Sequence, residues 1–128
     1  VYSPVNGTVV KQQDHLPDLQ PPETSDRSAT GNHIWIRNDS LYFVLAHLKQ
    51  HSVMVSAGEK VSAGRPLAQV GNTGNTSEPH LHLHAVYYPE SKTPPIDSLL
   101  YSGIPVPLVL EGDFLIRNEK YDVPYEWK

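Results

Sequence analysis

Three histidines occupy alternate positions in one short stretch of the sequence, "EPHLHLHAV". They are His80, His82 and His84. If this stretch is an extended strand, all three side chains point to the same face, and neighbouring ones lie ~6.5–7 Å apart. Imidazole is both a common metal ligand and a general base near neutral pH. The spacing therefore predicts a metal site or a proton-transfer site, with a row of solvated or hydrogen-bonded histidines as the plainer alternative.

The residues between these histidines are apolar. Leu81, Leu83 and Ala85 would point to the opposite face, so that imidazoles and apolar groups alternate cleanly. Such alternation predicts a strand that packs one face on a hydrophobic core and leaves the other for chemistry. A turn rich in glycine and asparagine, "GNTGNTS", comes shortly before the row. Together these features favour a functional site over a merely structural row.

His47 is a separate candidate. It stands near the end of "LYFVLAHL", which is apolar on nearly every residue and therefore predicts a strand covered on both faces. A single histidine in such a strand is more often a hydrogen-bonded core residue than a catalyst. His47 becomes a catalytic candidate only if the fold brings it to the row at 80–84.

The remaining histidines give weaker signals. His15 and Asp18, in "DHLPD", resemble a pair of ligands, but no strand or helix is predicted to fix them. We do not expect them to bind a metal. His33 and His51 are predicted to lie at the surface.

The elements that must position these residues are predicted to be strands. Twelve prolines and eight glycines separate short runs rich in Val, Ile, Leu and Tyr, which is typical of all-β proteins. "NHIWIR" and "LYFVLAHL" predict a hairpin with its turn at residues 38–40. "VYSPVNGTVV" predicts a strand, a turn at Asn6-Gly7 and a second strand. We expect one compact antiparallel β-sandwich or barrel-like domain over residues 1–128, with 97–128 as a C-terminal extension.

Two segments between these strands have their own character. Residues 11–30 are polar and rich in proline, and they predict a long surface loop. Residues 55–67, "VSAGEKVSAGRPL", place apolar residues and glycines alternately every third position, which favours short strands that turn corners at glycine. In the tail, "IPVPLVL" and "DFLIRN" are candidate edge strands. The loop at 11–30 and the turn at 71–77 would form the walls of a cleft whose floor carries the histidines.

Composition limits the function. Of 128 residues, 38% are hydrophobic and 19% are charged, with a net charge of −4, as in an ordinary soluble domain. No basic stripe suggests nucleic acid, and no apolar run approaches the ~20 residues that a transmembrane helix needs. The sequence has no cysteine, which excludes disulfides and thiolate metal ligands.

Several motifs together resemble a known family. "VYSPVNGTVV", "YFVLAHL", the Val/Gly frame and "VGNTGNTSEPHLHLHAV" occur in the order seen in M23 family peptidases, the lysostaphin- and LytM-like zinc endopeptidases. The resemblance covers about residues 1–86. It implies the compact antiparallel β core of that family and hydrolysis of peptide bonds in bacterial peptidoglycan. It also implies a location outside the cytoplasm, in the cell envelope or secreted.

The resemblance assigns roles to individual histidines. His82 matches the family's zinc ligand, while His80 and His47 match its two catalytic histidines. His84 falls where the family most often has Glu, so it is a candidate partner of the ligand rather than a standard site residue. One Zn²⁺ ion and a peptidoglycan peptide are the implied cofactor and partner. A catalytic zinc normally takes three protein ligands and one water.

The chain departs from the family in its ligand set. The family takes a His, and an Asp four positions later, from a motif that precedes the strand matching "VYSPVNGTVV". This chain begins at that strand, so it holds one of three expected ligands. Three explanations stay open: an upstream portion of a longer chain supplies the others; the domain is a non-catalytic member that binds a partner or wall peptide; or the row at 80–84 binds metal in its own way, together with His47.

Two further families share part of the pattern. Cupins also carry His-x-His after a glycine, but they require a Glu where this chain has Val86 or Tyr87. Sugar-phosphotransferase carrier domains share the Val/Gly frame, but they do not explain Pro-His-Leu-His after Gly-x-Thr-Gly. Both rank below the peptidase and its non-catalytic alternative.

Overall fold

All regular structure in the described part of the chain is β-strand. The computed structural model describes residues 1–89, 103–110 and 113–114. No helix there is long and apolar enough to cross a membrane. The strands are β1 (Gly7–Gln13), β2 (Asn32–Asn38), β3 (Leu41–Leu48), β4 (Lys60–Val61), β5 (His82–Tyr87), β6 (Ile104–Val106), β7 (Val109–Leu110) and β8 (Asp113–Phe114).

Six of these strands form one sheet in the order β4-β1-β2-β3-β5-β6, and every neighbouring pair is antiparallel. β7 and β8 pair only with each other among the described strands. The prediction of an all-β antiparallel fold is therefore confirmed. β3, which is apolar on nearly every residue, lies in the middle of the sheet between β2 and β5.

The hairpin between β2 and β3 turns where the sequence predicted. Asn38 pairs with Leu41, and Asp39 between them has a φ of 50°. Asp and Asn enter this left-handed region more readily than most side chains, which is why they are common in tight turns.

One face of the sheet carries the main hydrophobic core. Val9, Ile34, Ile36 and Leu45 are all 1% exposed or less. The segment that follows β3 returns across this face and packs its own apolar residues onto it. The residues it contributes to the core are Val55, Val61, Leu67 and Ala68.

This covering segment is the Val/Gly frame, and it turns corners at its glycines as predicted. Gly58 and Gly64 have φ angles of 90° and 80°, which only glycine adopts without strain. Each is the third residue of a turn closed by a backbone hydrogen bond, Glu59 N–H to Ser56 O and Arg65 N–H to Ser62 O. The strand content is smaller than predicted, because only β4 pairs in a ladder.

The opposite face of the sheet carries the histidines. Residues paired across antiparallel strands point to the same side, so β5 sends His82, His84 and Val86 to the side of Ala46, Val44 and Tyr42. We call this the histidine face. Its smaller apolar cluster consists of Trp35, Tyr42, Val44, Ala46 and Val86.

Some predicted boundaries are wrong. Residues 1–6 form no ladder strand, only an isolated bridge between Tyr2 and Pro66. β1 runs to Gln13, so the loop predicted from residue 11 begins later, because polar residues here still pair with β2. Of the predicted tail strands, Ile104–Val106 forms an edge strand of the sheet, whereas most of residues 97–128 lie outside the described part.

Candidate functional site

His47 lies in an unusual backbone conformation near the end of β3. Its φ is 60°, and its side chain is only 4% exposed. Hydrogen bonds hold the backbone on both sides: its N–H donates to Thr30 O at 2.9 Å, and its carbonyl accepts from Gly71 N–H at 3.0 Å. Non-glycine residues in this region persist where the surroundings fix them, and such residues concentrate at functional sites.

The ring of His47 is fixed by a main-chain acceptor. Its Nδ1 lies 2.9 Å from Thr73 O. A carbonyl oxygen only accepts, so Nδ1 carries the hydrogen and Nε2 of the neutral ring presents a lone pair. Burial lowers the pKa of His47, an effect opposed by the Thr73 hydrogen bond and reinforced by the charge of nearby His80. The neutral form of His47 is therefore favoured near neutral pH, with Nε2 unprotonated.

His80 does not lie on β5, as the alternating pattern had suggested. It belongs to the turn before the strand, where Pro79 precedes it. Its Nδ1 lies 2.9 Å from Glu78 O and 3.1 Å from Thr76 Oγ1. Thr76 Oγ1–H itself donates to Glu78 O at 2.8 Å, so the hydroxyl can only accept from His80. His80 thus has the same tautomer as His47, with Nε2 unprotonated.

These two rings lie beside each other. The ring centroids of His47 and His80 are 4.7 Å apart, and those of His47 and His82 are 5.8 Å apart. The fold therefore brings His47 to the row at 80–84. His47 is both things the sequence left open: a hydrogen-bonded buried residue and a member of the histidine cluster.

The side chains of His82 and His84 form a hydrogen bond with each other. His82 Nε2 lies 2.7 Å from His84 Nδ1, and the ring centroids are 4.9 Å apart. One of these nitrogens must donate and the other accept. Desolvation lowers the pKa of both rings, and the charges of the other histidines lower that of His82 further. The pair is thereby favoured as two neutral imidazoles, and Nδ1 of His82 makes no hydrogen bond within the described residues.

The turn at residues 71–74 positions His47 through close backbone packing. Thr73, which accepts the His47 hydrogen bond, also bonds to Asn32 N–H and Leu48 O through its own hydroxyl, at 2.8 and 2.9 Å. Gly31, with a φ of 59°, lies against the Thr73 carbonyl, and a Cβ there would collide with it. Glycine is required at position 31 for both reasons.

A cleft of about 360 Å³ opens beside the histidines. We call it the histidine cleft. Its lining is mostly apolar apart from the imidazoles, as is common in binding sites. It is formed by Ala29, Thr30, Ala46, His47, His82, His84, Ala85, Val86, Pro105 and Val106.

The residues of the proline-rich loop have structural contacts instead. Asp18 accepts hydrogen bonds from Gln50 N–H at 2.9 Å and Asn72 N–H at 2.7 Å, which ties the loop to the turn after β3 and to the turn at 71–77. His15 and His51 are exposed away from the histidine cleft. Within the described ranges, no three His, Cys, Asp or Glu residues are arranged to hold a metal ion. The interpretation in which the row binds metal by itself finds no support there.

Sequence reasoning missed two kinds of residue. Thr73 and Thr76 fix the two histidine rings, although only the Gly-x-Thr-Gly pattern hinted at them. His33, predicted at the surface, is 5% exposed because it lies on the central strand β2. Its Nδ1 bonds to Gly31 O at 2.8 Å, while its Nε2 is buried without a partner.

Comparison with known proteins settles the family. The model of peptidase family M23 matches residues 1–95, which contain every histidine of the cluster. The chain belongs to peptidase family M23. A relative is the peptidoglycan DD-endopeptidase ShyA of Vibrio cholerae serotype O1, 29% identical over 86 residues. The match covers 67% of this chain but 17% of ShyA, so the chain spans about a sixth of that relative.

Solved structures agree on the fold. LytU superimposes with a TM-score of 0.51 at 26% identity, over 66% of this chain and 51% of that one. The catalytic domain of lysostaphin, an antimicrobial peptidase from Staphylococcus simulans, gives a TM-score of 0.50 at 22% identity, over 78% and 69% of the two chains. The antiparallel strand arrangement is therefore that of M23 peptidases.

Proposed function

We propose that this chain is a zinc-dependent endopeptidase domain that hydrolyses peptide bonds of bacterial cell-wall peptidoglycan. Membership of family M23 and the similarity to a peptidoglycan endopeptidase support the peptidase class. The observation that carries the proposal is the pair His47 and His80. Main-chain carbonyls hold both rings in the tautomer with Nε2 unprotonated, and the ring centroids are 4.7 Å apart.

The donor set fits zinc in part. His82 would bind the ion through Nδ1, because its Nε2 is paired with His84. Neutral imidazole is a good zinc ligand, and a hydrogen bond to its second nitrogen orients the ring. In this arrangement His82 Nε2–H donates to His84 Nδ1, which makes His84 a positioning residue. We propose that the other two ligands, the His and Asp implied by the resemblance, come from another part of the complete protein.

The residues of this chain would then divide the chemistry. Zinc, when bound, supplies Lewis acidity at the scissile carbonyl and makes water more acidic. The Nε2 atoms of His47 and His80 would orient an attacking water molecule, and one of them would accept its proton. The imidazolium so formed is stabilised at Nδ1 by the Thr73 or Glu78 carbonyl. It returns the proton to the leaving amine as the peptide bond breaks.

Substrate and location follow from the same proposal. A domain that cuts wall peptides must act outside the cytoplasm, at the cell envelope or after secretion. Residues 1–128 are proposed to be one M23 domain with a C-terminal extension. The competing function is a non-catalytic module that binds wall peptide or a partner.

The test uses the complete protein that contains this chain. We expect one zinc per molecule, cleavage of purified peptidoglycan that a chelator abolishes, and loss of both in His82→Ala. His51→Ala, an exposed histidine away from the cluster, is the matched control and should retain both. Unchanged cleavage by metal-free protein would refute the zinc mechanism. Peptidoglycan binding that survives His82→Ala, without any cleavage by the wild type, would favour the non-catalytic module.

A further inference from the structure

A second depression lies beside the turn between β2 and β3. It has a volume of about 790 Å³, and its lining is more polar than that of the histidine cleft. Its lining includes Thr8, Arg37, Tyr42 and Lys60, and we call the depression the polar groove. None of the seven histidines lines it.

The polar groove is on the histidine face. Lys60 pairs with Thr8, Thr8 with Arg37, and Arg37 with Tyr42, so these side chains form one row across four strands. The row continues to Val86, the register partner of Tyr42. Neighbouring strands lie ~4.8 Å apart, so the attachment points of Lys60 and Arg37 are ~10 Å apart.

The cations of this row are available for a ligand. Arg37 and Lys60 are exposed, and within the described residues neither side chain makes an ion pair or hydrogen bond. Arg65 is different, since it is paired with Glu59. Asp39 also lines the groove and offsets one of the two positive charges. A local excess of positive charge is notable in a chain whose net charge is −4.

The hydroxyl groups of the row are available as well. In the described part, no hydrogen bond is made by the side chains of Thr8 or Tyr42, although the body of Tyr42 is buried at 6% exposure. A guanidinium beside a hydroxyl and an ammonium suits an oxyanion, because the fork of Arg can grip both carboxylate oxygens.

The polar groove adjoins the histidine cleft. Val86 lines the cleft, and its register partner Tyr42 lines the groove. From His82 to Val86 along β5 is four residues, or ~13 Å. Arg37 lies two strands further across the sheet than Val86, or ~10 Å, so the direct distance from His82 to Arg37 is ~16 Å. An extended peptide spans ~3.3–3.6 Å per residue, so about five residues would connect the two ends.

We propose that the polar groove is a specificity subsite for a carboxylate of an acidic wall peptide, held about five residue lengths from the bond that is cut. Arg37 and Lys60 contact the carboxylate, and the peptide runs along the histidine face past Val86. The subsite rests on the proposed function for its substrate class. It requires only binding, so it can be tested without cleavage.

The experiment measures binding of two soluble muropeptides to the complete protein by calorimetry. One carries free peptide carboxylates, and in the other the same carboxylates are amidated. We expect the acidic peptide to bind more tightly, with Arg37→Gln and Lys60→Gln each weakening it ~3–5-fold and Arg37→Lys weakening it less. None of these three substitutions should change the binding of the amidated peptide. Lys49→Gln, an exposed cation outside the groove, is the control and should bind like the wild type.

Other outcomes overturn the subsite. Equal binding of the two peptides, or no effect of Arg37→Gln and Lys60→Gln, would show that the groove does not read a carboxylate. Poly(glycerol phosphate) that displaces the acidic peptide and binds more tightly would show that the groove serves a phosphate polymer instead. If the acidic peptide binds as expected but is never cut, the subsite stands and the peptidase proposal fails.

Discussion

The histidine cluster consists of two pairs that are held in different ways. His47 and His80 each direct Nδ1 at a main-chain carbonyl, that of Thr73 in one case and Glu78 in the other. His82 and His84 lack such an anchor within the described residues and hydrogen-bond to each other at 2.7 Å. The first pair is set by the turn that precedes β5, whereas the second is set by the strand itself.

This difference determines whether the ring proton of each histidine has one fixed position. It does in His47 and His80, but not in His82 and His84. A carbonyl cannot donate, so the tautomers of His47 and His80 do not depend on any other side chain. Between His82 and His84 either ring can be the donor, and a third group decides which one is. A group that must present the same nitrogen at every turnover suits the first arrangement. A group whose tautomer is set by a bound ion suits the second.

The strongest test of the fixed pair is His47→Asn. Asn tolerates the left-handed φ of 60°, and its amide can replace Nδ1–H toward Thr73 O, but nothing replaces Nε2. We expect cleavage to fall ~10²–10⁴-fold while the free energy of unfolding changes by less than ~1 kcal/mol. His51→Asn is the control, since His51 is exposed and has a φ of 58°. Activity within tenfold of wild type would remove His47 from the chemistry.

The hydrogen bond from His47 Nδ1 to the Thr73 carbonyl can be disturbed without changing a histidine. In Gly31→Ala the new Cβ collides with the Thr73 carbonyl and is strained at a φ of 59°. We expect a loss of about 2–4 kcal/mol in the free energy of unfolding, together with reduced cleavage. Gly58→Ala has a φ of 90° but meets nothing within 4 Å, so it isolates the strain alone and should cost about 1 kcal/mol. Equal losses in the two variants would contradict the collision.

The exchangeable pair is tested at His84. His84→Leu removes the acceptor for His82 Nε2–H, and we expect zinc affinity of the complete protein to fall ~10–100-fold. His84→Asn keeps an acceptor near the position of Nδ1 and should recover much of that affinity. Zinc competition with a chromophoric chelator measures both. If the His84→Leu and His84→Asn variants bind zinc equally well, His84 does not position His82 as a zinc ligand.

The smallest effect on stability is expected for His33, which also directs Nδ1 at a main-chain carbonyl, that of Gly31, but lies outside the histidine cleft. Burial lowers the pKa of His33, with Lys11 adding to the shift and the Gly31 hydrogen bond opposing it. The unfolded chain then takes up a proton first, near pH ~6.5. The stability from neutral His33 is complete above that pH and declines as pH falls toward the folded pKa. Denaturant unfolding at several pH values between 5 and 8 measures this. The free energy of unfolding should depend less steeply on pH in His33→Asn than in the wild type, and an unchanged dependence would contradict the prediction.

The sequence predicted which segments form strands better than it predicted where those strands begin and end. β3 was recognisable because nearly every residue is apolar, and its turn to β2 because Asp39 and its neighbours favour tight turns. β1 extends to Gln13, because polar residues pair with β2 as well as apolar ones do. Local hydropathy carries no signal for such pairing.

The site was predictable in its residues but not in its geometry. The spacing of the row and the family resemblance named His47, His80 and His82, and the fold brings these rings together. Neither could place His80 outside β5, because that depends on Thr76 closing the preceding turn. Nor could they find His33 in the interior, since its burial comes from the strands beside it.

The register between β3 and β5 has a consequence for how such a site can evolve. Ala46 faces His82 and Val44 faces His84 on one side of the sheet, while Leu83 and Ala85 face the other. Inserting or deleting one residue within β5 would exchange these two sets and place imidazoles in the core. Lineages of this domain should therefore change the length of β5 only by pairs of residues, and the turn before it is constrained as well, because its carbonyls hold His47 and His80.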